Sequence, residues 1–203
     1  MAWPVDPQYR TSNQPFGSDA TEGVVGNPNG SEVEQLVAEY GNYQPLGHAG
    51  SDYPTPYGSP LYAIADGTVL YCGWADDLPG DDTWGPSGFF QRWALMKNFA
   101  GVVTVIQHNG WISVTAHQSN AGLNAGQEVS EGQQIGLSGN TRTRTTTVGP
   151  HVHIEALVDL SYSSANGLIY GRTNPEPFFR ANTPEAPVYT ADQQFLIDLF
   201  GSL

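Results

Sequence analysis

Apolar and polar residues alternate over several short stretches of this chain. Two of these stretches, residues 102–108 and 111–117, are separated only by Asn109-Gly110. Strict alternation is typical of half-buried β-strands, because successive side chains point to opposite faces, and Asn-Gly between two such runs is a strong hairpin signal. We therefore predict an antiparallel hairpin over residues 102–117.

The remaining apolar runs are equally short and are bounded by turn residues. Residues 61–64 and 68–73 flank an Ala65-Asp-Gly67 turn, which predicts a second hairpin, and further strands are expected at 134–138 and 152–158. The 24 glycines and 15 prolines also favour strands and turns over helices. The predicted fold class is mainly β, an antiparallel sheet or sandwich-like domain with short helical extensions.

Helical periodicity is confined to the flanks of this pattern. Residues 31–40 predict a short helix with Ser31 as N-cap, and residues 193–200 predict a terminal helix. We divide the chain into an N-terminal extension (1–45), a central domain (46–160) and a C-terminal extension (161–203). Residues 75–100 are acidic, then aromatic, and read as an insertion. Its aromatic residues, such as Trp84, could line a substrate groove or fill a satellite core.

The composition of the chain argues against some classes of binding partner and against a membrane span. The chain has 203 residues, a net charge of −13 and only seven Lys and Arg residues, which argues against nucleic acid as a partner. No run of 18 apolar residues occurs, so we expect no membrane span. The N-terminal residues lack the basic and apolar regions of a signal peptide.

The residues that could carry chemistry lie in two pieces about a hundred residues apart. His48 and Asp52 lie in the first piece, and His151 and His153 in the second. Catalytic zinc takes imidazole nitrogen and carboxylate oxygen, with three protein ligands and one open position. On a strand, His151 and His153 would share one face while Val152 and Ile154 point into a core.

The flanking residues sharpen this assignment. The chain reads Leu46-Gly-His48-Ala-Gly-Ser-Asp52, then Tyr57-Gly-Ser-Pro-Leu-Tyr-Ala-Ile-Ala-Asp-Gly-Thr-Val69, then Glu131-Gly-Gln-Gln-Ile-Gly136, and finally Gly149-Pro-His-Val-His-Ile-Glu155. In this order the motifs resemble the lysostaphin/LytM-type zinc endopeptidases of peptidase family M23. The resemblance covers about residues 46–158 and implies an M23-type peptidase domain.

The resemblance also implies roles for five residues. His48, Asp52 and His153 would be the ligands of Zn²⁺, whereas His117 and His151 would face the reacting water and the substrate carbonyl as catalytic residues. Two histidines and one carboxylate also suit the ferrous iron of oxygenases, but the flanking motifs disfavour that reading. No H-E-x-x-H helix is present, so histidines must handle the proton, and which of the two is the base stays open.

Two segments depart from the family pattern. The family's Tyr-x-His-Leu reads Thr115-Ala-His-Gln118, so an aromatic wall must be missing or come from the insertion. The loop before His151 is longer than usual and carries Arg142 and Arg144, which either bind a peptide carboxylate or are solvated loop charges. His108, at a predicted turn, is assigned to the substrate rim or to a structural role.

The function implied is hydrolysis of peptide cross-links or stems in bacterial peptidoglycan. Without a visible signal, we expect a phage lysis enzyme, held in the host cytoplasm before release to the wall, or a virion tail enzyme with tail proteins as partners. The alternative is a catalytically silent structural or wall-binding module of a phage tail. Such modules usually lose ligands, and this chain keeps all five expected positions.

Overall fold

The computed structural model describes residues 1–18, 46–78, 96, 99–159 and 167–180, and here the fold is mainly antiparallel β. The strands are β1 (Ser51–Tyr53), β2 (Pro60–Tyr62), β3 (Gly67–Trp74), β4 (Val102–Gln107), β5 (Ile112–Gln118), β6 (Glu128–Val129), β7 (Gln134–Leu137), β8 (Gly139–Thr141), β9 (Thr147–Leu157) and β10 (Arg172–Thr173). Within these residues, helix is limited to 3₁₀ turns at Pro7–Tyr9 and Ala75–Asp77 and to α1 (Glu176–Arg180). The predicted fold class is confirmed.

Several expectations fall on the rest of the chain. The helices predicted at 31–40 and 193–200, Trp84 and most of the insertion lie outside the described residues. None of the helices in the described ranges is long and apolar enough to cross a membrane.

One large sheet organises the domain, with the strand order β1-β9-β5-β4-β3-β6. Strand β9 is its centre, since it also pairs with β8 and β10, and every pairing in the sheet is antiparallel. A separate two-stranded sheet is formed by β2 and β7.

The two predicted hairpins have different outcomes. Strands β4 and β5 form the hairpin around Asn109-Gly110, with Gln107 opposite Ile112 and Gly110 at φ 81°. The hairpin expected over residues 61–73 is wrong, because β2 pairs with β7 and β3 pairs with β4. Backbone contacts with the β7 side continue up to the turn, because the N–H of Ala63 donates to the carbonyl oxygen of Gln133 and its carbonyl oxygen accepts from the N–H of Gly132.

Apolar side chains cover both faces of the large sheet. One cluster contains Tyr53, Leu61, Val69, Ile106, Val152, Ile154, Phe178 and Phe179. The other contains Val103, Val105, Ile112, Val114, Ala116 and Leu157. Val152 and Ile154 are fully buried, as the alternation along β9 predicts. The opposite face of β9 at this point, which carries His151 and His153, is therefore available for chemistry.

Candidate metal centre and active site

The strand register brings the two halves of the predicted site together. Asp52 of β1 lies directly opposite His153 of β9, and Ala116 of β5 lies opposite His153 on its other side. Residues opposite each other in a sheet project from the same face. Gly50 makes the approach possible, because a Cβ there would lie 2.8 Å from the His153 ring and 2.2 Å from the carbonyl oxygen of Ile154.

Three potential ligand atoms converge at one point. Nδ1 of His153 lies 2.8 Å from Oδ1 of Asp52 and 3.0 Å from Nε2 of His48, and the distance from His48 Nε2 to Asp52 Oδ1 is 3.4 Å. All three residues are buried. Ligands about 2.0–2.1 Å from a tetrahedral ion lie about 3.3 Å apart, so shifts of a few tenths of an ångström would seat zinc.

The opposite ring nitrogens fix the tautomers of both histidines. Nδ1 of His48 donates to the carbonyl oxygen of Gln14 at 3.1 Å, because a carbonyl only accepts. Nε2 of His153 donates to Oε1 of Glu155 at 3.1 Å. In the neutral rings, Nε2 of His48 and Nδ1 of His153 therefore carry lone pairs. With the carboxylate of Asp52, these lone pairs need a cation or a proton between them.

Without a metal, a proton fills that role. Burial by itself would lower the pKa of His153, but its hydrogen bonds to Asp52 and Glu155 and their charges raise that pKa to about 9. Burial would raise the pKa of Asp52, yet the charge of His48 and the hydrogen bonds from His153 and His48 hold it well below 3.8. The cluster thus stabilises positive charge at the point where the three ligand atoms meet.

Two residues behind His153 were missed by the sequence analysis. Oε2 of Glu155 accepts a 2.7 Å hydrogen bond from Nε of Arg172, and both side chains are buried. Burial would raise the pKa of Glu155, but Arg172 and His153 lower it to about 2. Glu155 could have been found from its spacing, because it lies two residues after His153 on the same strand face.

His151 lies at the edge of the same cluster. Its Nδ1 donates to the carbonyl oxygen of Gly149 at 2.7 Å, and its Nε2 lies 3.5 Å from Oδ2 of Asp52. The side chain keeps part of its surface open to solvent. This ring therefore borders the candidate ligands and is open to solvent on one side.

His117 reaches the cluster through a strained backbone. Ala116 projects to the same face as His153, so simple alternation would place His117 on the other face. A φ of 58° interrupts the alternation, and the His117 ring lies 4.4 Å from the ring of His151. Left-handed backbone at a non-glycine residue costs about 1–2 kcal/mol and is found mainly where surrounding contacts enforce it.

Thr141 supplies those contacts. Its carbonyl oxygen accepts a 2.7 Å hydrogen bond from Nδ1 of His117. Its hydroxyl donates to the carbonyl oxygen of Gln118 and accepts from the N–H of Val102. Burial, followed by the charges of His151 and His153, lowers the pKa of His117 to about 3, so the ring is neutral at neutral pH.

An aromatic ring lies beside His117 despite the missing tyrosine. Phe99 packs edge-on against His117 at 5.7 Å, and it comes from the end of the segment that we read as an insertion. The guanidinium of Arg142 lies 5.9 Å from the Phe99 ring. Arg144 lies further out, where it is exposed, forms an ion pair with Asp77 and lies over the ring of Trp74.

His108 is not brought to this cluster. It is buried, and its ring nitrogens lie 2.8 Å from the carbonyl oxygen of Asp66 and 2.8 Å from Oγ of Ser113. Ser113 precedes His117 by four residues on β5, which is about 13 Å along a strand. The geometry therefore favours the structural role for His108 over the substrate rim.

The burial of His108 predicts a pH effect on stability. Burial, offset in part by Asp66, holds the pKa of His108 below 6.5, so the folded protein keeps the ring neutral while the unfolded chain protonates it. Its stabilising contribution is complete above about pH 6.5 and is lost as the pH falls below that value. In urea unfolding with a chelator present, His108→Gln should lose less stability than the parent between pH 7.5 and 5. Parallel pH profiles would contradict this prediction.

The sequence of this chain is similar to those of known peptidoglycan endopeptidases. This chain is 35% identical over 114 residues to peptidoglycan DD-endopeptidase ShyA of Vibrio cholerae, and the match covers 55% of this chain and 20% of that protein. Glycyl-glycine endopeptidase ALE-1 of Staphylococcus capitis is 30% identical over 147 residues, 70% of this chain and 33% of that protein. The chain thus spans only a fifth to a third of these two relatives.

The fold itself has a solved counterpart. The catalytic domain of the antimicrobial peptidase lysostaphin from Staphylococcus simulans superposes with a TM-score of 0.51 at 21% identity, covering 84% of this chain and 92% of that domain. At this identity the likeness concerns the fold alone. The sequence model of peptidase family M23 matches residues 46–164, more than half of the chain and both halves of the His-Asp-His cluster. The chain belongs to peptidase family M23.

Proposed function

We propose that this protein is a zinc-dependent endopeptidase that hydrolyses peptide cross-links or stems of bacterial peptidoglycan. The proposal is carried by the convergence of His48, Asp52 and His153, whose ligand atoms meet within 3.4 Å of one another. Their chemistry, two imidazoles and one carboxylate, is that of a hydrolytic zinc site with an open position. The complete ligand set counts against a catalytically silent module.

The cluster contains the groups that hydrolysis requires. Held by His48, Asp52 and His153, a zinc ion would supply a Lewis acid that polarises a carbonyl and lowers the pKa of water to about 7. As the water oxygen bonds to the peptide carbonyl carbon, Nε2 of His117 or His151 takes the proton. The same proton passes to the leaving nitrogen as the carbon–nitrogen bond breaks. The other histidine would lie beside the carbonyl oxygen.

The substrate class comes from the relatives. One is named a peptidoglycan DD-endopeptidase and another a glycyl-glycine endopeptidase, so walls with direct cross-links and walls with glycine bridges are both candidates. We propose that Arg142, beside Phe99 at the cluster, contacts the peptide, and that Arg144 contacts it further out, beside Trp74. Arg144 would have to exchange Asp77 for a substrate carboxylate, a small cost for an exposed pair. Unchanged KM values in Arg142→Ala and Arg144→Ala would contradict these two roles.

The test is mass spectrometry of peptidoglycan fragments after digestion by the zinc-loaded protein. New peptide termini should appear, vanish when the metal is chelated and return when zinc is added back. The termini would identify the bond. Zinc binding without cleavage of either wall type would overturn the proposal, and wall adhesion that survives chelation would instead identify a binding module.

The biological setting is a separate proposal. A role in phage lysis or in a virion tail is an expectation from the sequence, and the site geometry is compatible with either. Neighbouring genes provide the test, since a holin gene would support lysis and tail genes would support a virion enzyme. A chromosomal context of cell-wall synthesis genes would contradict both.

A further inference from the structure

A buried chain of three side chains runs back from the metal centre. Nε2 of His153 is 3.1 Å from Oε1 of Glu155, and Oε2 of Glu155 is 2.7 Å from Nε of Arg172. Arg172 has no exposed surface, and Glu155 is 4% exposed. Nη1 of Arg172 also donates to the carbonyl oxygen of Tyr170.

A buried ion pair of this kind needs a physical reason. Removing two charges from water is costly, and apolar residues of the same volume often stabilise a fold equally well or better. Arg172 could serve only to join β10 to β9, but the backbone pairing of Arg172 with Leu157 already does so. What the ion pair adds is a fixed, negatively charged acceptor beneath His153.

We propose that Glu155 and Arg172 are positioning residues of the metal centre. Glu155 keeps the proton of His153 on Nε2, so that Nδ1 presents its lone pair towards Asp52 and His48, and Arg172 holds the carboxylate in place. Carboxylates behind a ligating histidine commonly act in this way. Arg172 lies beyond residues 46–164, so the family match does not contain the whole metal centre. The inference rests on the proposed zinc site.

Two double variants separate the hydrogen bond from the ion pair. E155M/R172M replaces the pair with apolar side chains of similar length, and E155Q/R172M also removes the charges but leaves an oxygen that can accept from His153. Zinc affinity is measured by competition with a chelator, and the stability of each metal-free protein by urea unfolding. Ser113→Ala is the matched control, because it removes the buried hydrogen bond between the Ser113 hydroxyl and Nε2 of His108, away from the metal centre.

E155M/R172M is expected to fold and to bind zinc about 10–100-fold more weakly, with E155Q/R172M closer to the parent. Ser113→Ala should lose stability and keep its zinc affinity. Parent-like affinity in E155M/R172M, or equal losses in both double variants, would overturn the positioning role. A parent protein that binds no zinc would show that the proposed function has failed. That outcome would overturn both conclusions, whereas zinc binding by the parent with parent-like affinity in E155M/R172M would overturn the positioning role alone.

Discussion

Asp52→Ala is expected to abolish tight zinc binding and to lower the rate of peptidoglycan hydrolysis more than about 100-fold. Loss of a partner that only orients a ligand typically costs about 10–100-fold, and loss of the ligand itself should exceed that range. Asp52 is the one carboxylate in the three-residue cluster, so its removal also takes away the negative charge that balances the cation. Bound zinc is measured on the purified variant, and turnover is measured at saturating zinc.

Glu128→Ala is the matched control for this prediction. Glu128 is an exposed carboxylate on β6 that bonds to Thr68, away from the cluster. It should keep parental zinc content and activity. Stoichiometric zinc in Asp52→Ala, or an equal loss in both variants, would contradict the assignment of Asp52 as a ligand.

Gly101→Ala should destabilise the domain and disable His117 at the same time. Gly101 has a φ of 65°, and a Cβ there would lie 2.2 Å from both the carbonyl oxygen and the hydroxyl of Thr141. Thr141 must move, and its carbonyl is the acceptor that holds Nδ1 of His117. We expect a stability loss of more than about 2 kcal/mol, because backbone strain and overpacking add together. Activity per folded, zinc-loaded molecule should fall as well.

Gly58→Ala provides the comparison. Gly58 has a φ of 85°, but nothing lies within 4 Å of a Cβ at that position. It should show only the strain of left-handed backbone, about 1–2 kcal/mol, with activity unchanged. Urea unfolding and single-substrate kinetics on both variants check the pair. Equal stability losses would show that the contact with Thr141 has no consequence.

The parts of the site that the sequence predicts are those carried by local pattern. Alternation along one strand is enough to place His151 and His153 on the face opposite Val152 and Ile154, and Asn109-Gly110 is enough to define a hairpin. These features depend on residues that are close in sequence. They do not require knowledge of which strand lies beside which.

The parts that the sequence did not predict depend on long-range pairing. Residues 61–73 look like a hairpin locally, yet β2 pairs with β7, which lies over seventy residues further along the chain. The carbonyl of Gln14, which accepts from His48, belongs to the backbone and leaves no side-chain signal. Arg172 is an isolated arginine in sequence, and its role appears only when β10 lies against β9. The family resemblance places His117 at the site, but the unusual φ that brings its ring there is not indicated by any residue pattern.

The dispersion of this centre along the chain has a consequence for folding. His48 and His153 are 105 residues apart, Gln14 precedes His48 by 34 residues, and Arg172 follows Glu155 by 17. Proteins dominated by such distant pairings fold slowly, in milliseconds to seconds, because the entropy of loop closure is lost before the long-range contacts stabilise the chain. A chain emerging from the ribosome cannot complete the centre until residue 172 is available. The centre is therefore expected to stay incomplete until Arg172 has been synthesised, and internal cleavage between these segments should disrupt it.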